Sequence, residues 1–180
     1  MSLAIGDAAP PFNLKNANAG KGGNNVALED AMGEAGLVVV FECNHCPYVV
    51  ASVGRMNAMA QRCQADHVGF VGINSNDPVK YPNDSFEHMV KRANDGMPYP
   101  YLHDETQAVA QAYGAKRTPE FFLFTRSGEL VYQGRMDDSP QDPTQVTTSE
   151  LANAIDALLA GQTPGIQHTE SIGCSVKWKA

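Results

Sequence analysis

The sequence predicts an α/β fold, a central mixed β-sheet with helices on both faces. Three observations carry this. Leu37, Val38, Val39, Val40 and Phe41 form a continuous apolar, mostly β-branched run, as in a strand buried on both faces. Val49, Val53, Met56, Ala60 and Cys63 then recur at helical spacing before a second apolar run at 68–73, which completes a β-α-β unit. Later, residues 121–125 and 129–133 read as strands joined by a tight turn at Ser127-Gly128, an antiparallel hairpin. A parallel unit followed by a hairpin makes the sheet mixed.

In chain order, Ala9-Pro10-Pro11-Phe12 is extended, and residues 16–25 form a Gly/Asn-rich loop without periodicity. Pro47 suits the first turn of the helix after the first buried strand, where a missing N–H costs nothing. Asp84-Ser85-Phe86-Glu87 has the form of a capping box for a helix with Phe86, Met89, Val90 and Ala93 on its apolar side, ended by Gly96. Asp104 is placed to cap a shorter helix that stops at Gly114. Thr147-Thr148-Ser149-Glu150 reads as another capping box, opening a helix closed by Gly161. No repeat or linker divides the chain, so residues 1–180 read as one domain with residues 162–180 as a C-terminal tail.

Hydrophobic residues make up 43% of the 180-residue chain and charged residues 18%, a globular balance with enough length for its own core. The formal net charge is −7, and the Lys and Arg residues are scattered, which excludes a basic nucleic-acid footprint. No apolar run approaches membrane-spanning length. The first fourteen residues lack the pattern of a secretory signal, so the expected compartment is the cytoplasm. Four cysteines in such a chain do not suggest a structural disulfide framework.

Two of the four stand as Cys43-Asn44-His45-Cys46, between a predicted strand and a predicted helix. At a helix start the unpaired N–H groups and the dipole favour a thiolate, the species that attacks disulfides. Cys43 is therefore expected to be the nucleophile, with Cys46 one turn into the helix as the resolving thiol. A protonated His45 would stabilise the thiolate further. Asn44 and Glu42 belong with His45 as neighbours that tune the pair. Glu42 is expected to face solvent at the strand end, and to disfavour the Cys43 thiolate if close and ionised. Thr118-Pro119 stands before an apolar strand, where a proline would stop a central strand unless it has a special job.

Residues 41–48, Phe-Glu-Cys-Asn-His-Cys-Pro-Tyr, followed by Thr118-Pro119 before Phe121-Phe122-Leu123-Phe124, resemble the thioredoxin superfamily. More closely, the sequence is similar to its peroxiredoxin-like redoxin branch, with AhpC/TSA-like proteins. Residues 99–104, 112–115 and 171–179 share the likeness, which runs from about Gly6 to the C-terminus. The resemblance implies a thioredoxin-like fold with an N-terminal hairpin extension, and a cis Pro119 beside the cysteines, so that Thr118 and Pro119 form a backbone platform for substrate. It implies a thiol–disulfide oxidoreductase that needs no bound cofactor and draws electrons from a cytosolic dithiol reductant such as a thioredoxin system. In the peroxiredoxin motif a proline and a Thr/Ser precede the reactive cysteine. Aligned on Cys46, those positions hold Val39 and Cys43, which leaves a thiol peroxidase as the alternative. A non-catalytic redox sensor or binding module is a third reading.

Cys174 is either a third redox thiol that reaches the site or a partner, or a cysteine of a docked tail. The spacing Cys43-x2-Cys46-x16-Cys63-x3-His67 would suit zinc, but one intervening helix would hold Cys46 and Cys63 ~25 Å apart, so no metal is expected. Tyr99 and Tyr101 are placed either on a partner-binding rim or in an ordinary loop. Asp137, Asp138 and Asp142 read as a solvated acidic turn.

Overall fold

The computed structural model describes residues 3–180. Its central strand, β3 (Gly36–Phe41), is buried throughout. Val38 and Val40 enter one core, whereas Leu37, Val39 and Phe41 enter another on the opposite face, following the two-residue period of a strand. The strand β4 (Val68–Asn74) runs parallel to β3, with Val71 opposite Val39. On the other side β7 (Glu120–Thr125) runs antiparallel, with Phe122 opposite Val39. The chain then turns at Gly128, whose φ of +89° suits glycine, into β8 (Leu130–Gly134).

The sheet extends beyond β4 through β5 (Tyr101–His103), which is parallel to β4. It ends in a hairpin of β1 (Asn13–Asn16) and β2 (Asn25–Ala27), with β1 antiparallel to β5. The spatial order is β2-β1-β5-β4-β3-β7-β8. One face is covered by α2 (Pro47–Ala65), α3 (Phe86–Ala93) and α5 (Glu150–Leu159), which contribute Met56, Met89 and Ile155 among others. The other packs α1 (Leu28–Ala31) and α4 (Ala108–Tyr113), with Tyr113 edge-on to Phe122 and Phe124. This is a thioredoxin-like mixed sheet with helices on both faces.

Several local expectations change. Residues 16–25 form the long connection of the β1–β2 hairpin, where the buried Asn16 amide donates to the carbonyls of Asn18, Lys21 and Gly23 at 3.1, 2.8 and 2.9 Å. One side chain thus organises a segment that composition alone marks as irregular. The N-cap of α3 is Ser85, which accepts the His88 N–H at 3.3 Å, rather than Asp84. The N-cap of α5 is Ser149, which accepts from Ala152 N–H, rather than Thr147. Asp104 does serve α4, accepting the N–H groups of Val109 and Ala110 at 3.3 and 2.9 Å. On α2 the buried positions are Val49, Ser52, Met56, Ala60 and Cys63. Ser52 joins that face through its hydroxyl, which donates to the Pro140 carbonyl at 3.0 Å.

The tail returns to the body of the protein. Gln133 of β8 bridges to His168, and β9 (Cys174–Ser175) pairs antiparallel with the short β6 (Arg117–Thr118). No helix among the described residues is long and apolar enough to cross a membrane.

Candidate active site

The chain leaves β3 at Phe41 and enters α2 at Pro47, so residues 42–46 form a loop beyond the C-terminal end of the central strand. Sites of α/β sheets commonly sit at that end. The N-cap of α2 is Cys46, with Pro47 at its first position. The helix therefore begins after the second cysteine, and its unpaired N–H groups serve Cys46 more directly than Cys43. This reverses the local geometry expected from the sequence, because the five residues between the strand and Pro47 are not helical.

Both cysteines are buried, each 1% exposed. The Cys43 Sγ lies 3.5 Å from the Thr118 hydroxyl, and the Cys46 Sγ lies 3.5 Å from the Thr118 carbonyl oxygen. The Thr118–Pro119 peptide bond is cis. Thr118 thus meets both sulfurs from across the sheet.

The two thiols are electrostatically unequal. Cys46 is pulled down to about 4, first by hydrogen bonding with the Cys43 thiol and then by the Cys174 thiol and the backbone N–H groups of Val49 and Cys174, against the opposing effect of burial. Cys43 is pushed well above its ordinary range, chiefly because its proton is held against Cys46, and further by burial and by the Asp84 carboxylate. The surroundings thus favour negative charge on Cys46 over Cys43.

Beneath the loop lies a buried polar network. Glu42 is fully buried rather than facing solvent. Its carboxylate takes the Arg92 guanidinium at 2.5 Å and the Tyr99 hydroxyl at 2.7 Å, which is how a buried charge is tolerated. Gly72 leaves the necessary room, since a Cβ there would run into Glu42. Arg92 also donates to the Cys43 carbonyl at 3.1 Å and lies over the Tyr101 ring at 4.9 Å, a cation–π contact. The charge of Glu42 is thereby matched by Arg92 next to the Cys43 backbone. Tyr99 and Tyr101, both fully buried, belong to this network and form no exposed rim. Tyr101 donates its hydroxyl to the Asn44 carbonyl oxygen at 2.7 Å.

Asp84 anchors the other side of the loop. Its oxygens accept the Asn44 N–H at 2.8 Å and the amides of Asn74 and Asn76 at 3.1 and 3.0 Å. His45 Nδ1 lies 2.8 Å from Asp84 Oδ2. Asn44 is therefore a loop anchor, fixed by both Tyr101 and Asp84. His45, with its side chain 33% exposed, turns toward Asp84 and stacks near Tyr81. Polar atoms of Cys43, His45 and Asp84 come within 4.8 Å of one another, the only such grouping among the described residues close enough to share a metal ion. Four nitrogen groups already surround the Asp84 carboxylate, so the grouping reads as a close His–Asp contact within a hydrogen-bonded loop anchor. Cys63 stands near the far end of the unbroken α2, ~25 Å from Cys46 at 1.5 Å rise per residue, outside any shared site.

Cys174 sits beside Cys46. Strand β9 places it opposite Thr118, and its thiol interacts with that of Cys46. The site thus holds three sulfurs. Sequence reasoning missed Arg92, Asp84, Asn74 and Asn76. A signal for the last two existed: Asn74-Ser75-Asn76-Asp77 is a polar run ending an apolar strand, and all four residues are buried.

Comparison with known proteins agrees with this geometry. The AhpC/TSA family profile matches residues 5–133. An uncharacterized conserved protein from Geobacillus kaustophilus is 46% identical, with 98% of this chain and 93% of that one covered and a TM-score of 0.91. A hypothetical protein from Sinorhizobium meliloti is 37% identical over 100% of this chain and 97% of that one, with a TM-score of 0.90. The thioredoxin domain of a thiol-disulfide oxidoreductase from Bacteroides vulgatus shares the fold at 17% identity and a TM-score of 0.59, covering 79% and 96% of the two chains. No curated protein matches.

Proposed function

The chain belongs to the AhpC/TSA family, and from that premise we propose that it is a thiol–disulfide oxidoreductase whose working couple is Cys43 and Cys46. The observation that carries this reading is the division of labour between the two thiols. Cys46, at the N-cap of α2, is the thiol whose negative charge is favoured, and Cys43 beside it is the one whose proton is held. In the reductive half-reaction Cys46 attacks one sulfur of a disulfide and expels the other as a thiolate. The Cys43 thiol then gives its proton to a departing sulfur and attacks Cys46 Sγ. The substrate leaves as one thiol and one thiolate, the latter taking a proton from solvent, and a Cys43–Cys46 disulfide remains.

This assignment exchanges the roles expected from sequence, because the helix N-terminus falls at Cys46. Thr118 and Pro119 serve as the platform against which both sulfurs are held. His45, Asn44 and Glu42 act through the loop, which their partners Asp84, Tyr101 and Arg92 fix in place. Electrons return from a dithiol reductant such as a cytoplasmic thioredoxin system, and the chemistry asks for no bound cofactor.

One observation favours a second reading. Both sulfurs are shielded from bulk solvent, which suits a small oxidant. In that case Cys46 attacks a hydroperoxide, becomes a sulfenic acid as an alcohol or water leaves, and Cys43 captures it with loss of water. Peptide mass mapping of the reduced protein after reaction with a small disulfide, and separately with hydrogen peroxide, distinguishes these. Rapid exchange that ends as Cys43–Cys46, followed by turnover with a dithiol, supports the oxidoreductase. Faster reaction with peroxide through a Cys46 sulfenic acid supports the peroxidase. If neither oxidant forms the Cys43–Cys46 bond, the catalytic reading falls and a redox sensor takes its place.

A further inference from the structure

A buried dithiol must exchange electrons with partners too large to reach it. The edge of Thr118 is not open to a substrate chain: the protein's own tail lies along it. Strand β9 pairs antiparallel with β6, setting Cys174 opposite Thr118 and Ser175 opposite Arg117, and the Val176 N–H donates to the Lys116 carbonyl at 3.0 Å. The approach is as close as a backbone permits, since a Cβ on Gly173 would run into the Thr118 carbonyl. Further on, Lys177 is held through its backbone by Asp77 N–H, Asn76 and Gln107 at 2.8, 2.9 and 2.9 Å. The tail is thus built into the site by a glycine and a run of hydrogen bonds. Of the three clustered thiols, Cys43 and Cys46 are buried and only Cys174 is partly exposed.

We infer that Cys174 is the exchange port of the site: it carries electrons between an external protein dithiol and the buried Cys43–Cys46 disulfide. The inference rests on the dithiol reading above and adds the route by which that dithiol is reduced. In the first step the Cys174 thiolate attacks Cys46 Sγ. The Cys46–Cys174 bond forms, the Cys43–Cys46 bond breaks, and Cys43 takes up the proton that Cys174 has lost. In the second, a thiolate of the reductant attacks Cys174, the accessible sulfur, and Cys46 leaves as a thiolate. The reductant's second thiol then attacks its own sulfur in the mixed disulfide and releases Cys174. The reductant ends as a disulfide, and two electrons have passed to the Cys43–Cys46 pair.

Local electrostatics match this order. In the reduced protein Cys174 is pushed up to about 11 by burial and by its interaction with Cys46, so it resists stray oxidants. Once Cys46 is tied to Cys43, the Cys46 thiolate and its repulsion are gone, and the tail thiol ionises more readily when it has a disulfide to attack. Cys46, pulled down to about 4 in the reduced state, is in turn a good leaving group for the second step.

The test compares wild-type and Cys174→Ser proteins, each oxidised to the Cys43–Cys46 disulfide and verified by mass mapping. Each is then reduced either by thioredoxin with its reductase or by a small phosphine. Reduction by thioredoxin should slow about tenfold or more in the variant, while phosphine reduces both at the same rate. In a Cys43→Ser protein, mild oxidation should yield a Cys46–Cys174 disulfide. Equal rates with thioredoxin overturn the port and leave the dithiol reading intact. Equal slowing with both reductants also overturns it, because the substitution has then altered the buried disulfide itself. Failure of either protein to form the Cys43–Cys46 disulfide overturns the dithiol reading and the port together.

Discussion

Replacing Arg92 by methionine keeps most of the side-chain volume and removes the positive charge. In the folded protein that leaves the Glu42 carboxylate, fully buried, with only the Tyr99 hydroxyl as a partner. The Cys43 carbonyl loses its 3.1 Å hydrogen bond as well. Breaking a buried pair by removing one member costs about 3–5 kcal/mol, because an uncompensated charge is left behind. For a chain of this length that corresponds to roughly 6–20 °C in Tm. Urea unfolding of the reduced protein at neutral pH measures the loss. Glu42→Gln in the Arg92→Met background replaces the stranded charge with an amide that Tyr99 can still reach, so the double variant should regain ~2 kcal/mol or more of the additive expectation. A cost below ~1 kcal/mol for Arg92→Met, or strict additivity in the double variant, would refute the claim that Glu42 is a buried, paired charge.

Gly173→Val should lift the tail from Thr118, where no Cβ fits, and raise the alkylation rate of Cys46 about tenfold or more; an unchanged rate would contradict the close packing. Cys63, pushed up to about 12 chiefly by burial, should resist alkylation in the native protein and react only on unfolding, and labelling as fast as Cys46 would contradict its placement. The depressed Cys46 pKa also makes stability depend on pH. Between about 4 and the ordinary thiol value of 9.0 the folded protein binds fewer protons at this site than the unfolded chain. The contribution is therefore complete above the ordinary value and disappears as the pH falls through about 4. The stability difference between the reduced wild type and Cys46→Ser should shrink as pH is lowered across that window; a constant difference would count against the assignment.

How much of this was legible in the sequence depends on range. β3, α2 and β4 announce themselves because their burial patterns repeat within a few residues, and the β7–β8 hairpin does so through its turn. The Cys43/Cys46 pair is legible for the same reason, as a motif between a strand and a helix. The position of the helix start is not, since Pro47 fixes the first helical residue only once the loop before it is known. Glu42 looks like a solvated strand end because Arg92 and Tyr99 lie about fifty residues away in the sequence. Asp84 stands beside a true cap, Ser85, and its own partners come from two other segments. The tail gives no period at all. Its position follows from Gly173 and from hydrogen bonds to Asn76, Asp77 and Gln107, groups that meet only in the folded chain.

In the reduced couple the charge is expected on Cys46 and the proton on Cys43. Thiolate absorbance followed through a pH titration of the reduced protein tests it most directly, with Cys46→Ser and Cys43→Ser alongside. A thiolate is expected to persist well below neutral pH in the wild type and to vanish from that range in Cys46→Ser. A thiolate that first appears near the ordinary thiol value, or one that survives in Cys46→Ser and is lost in Cys43→Ser, would contradict it.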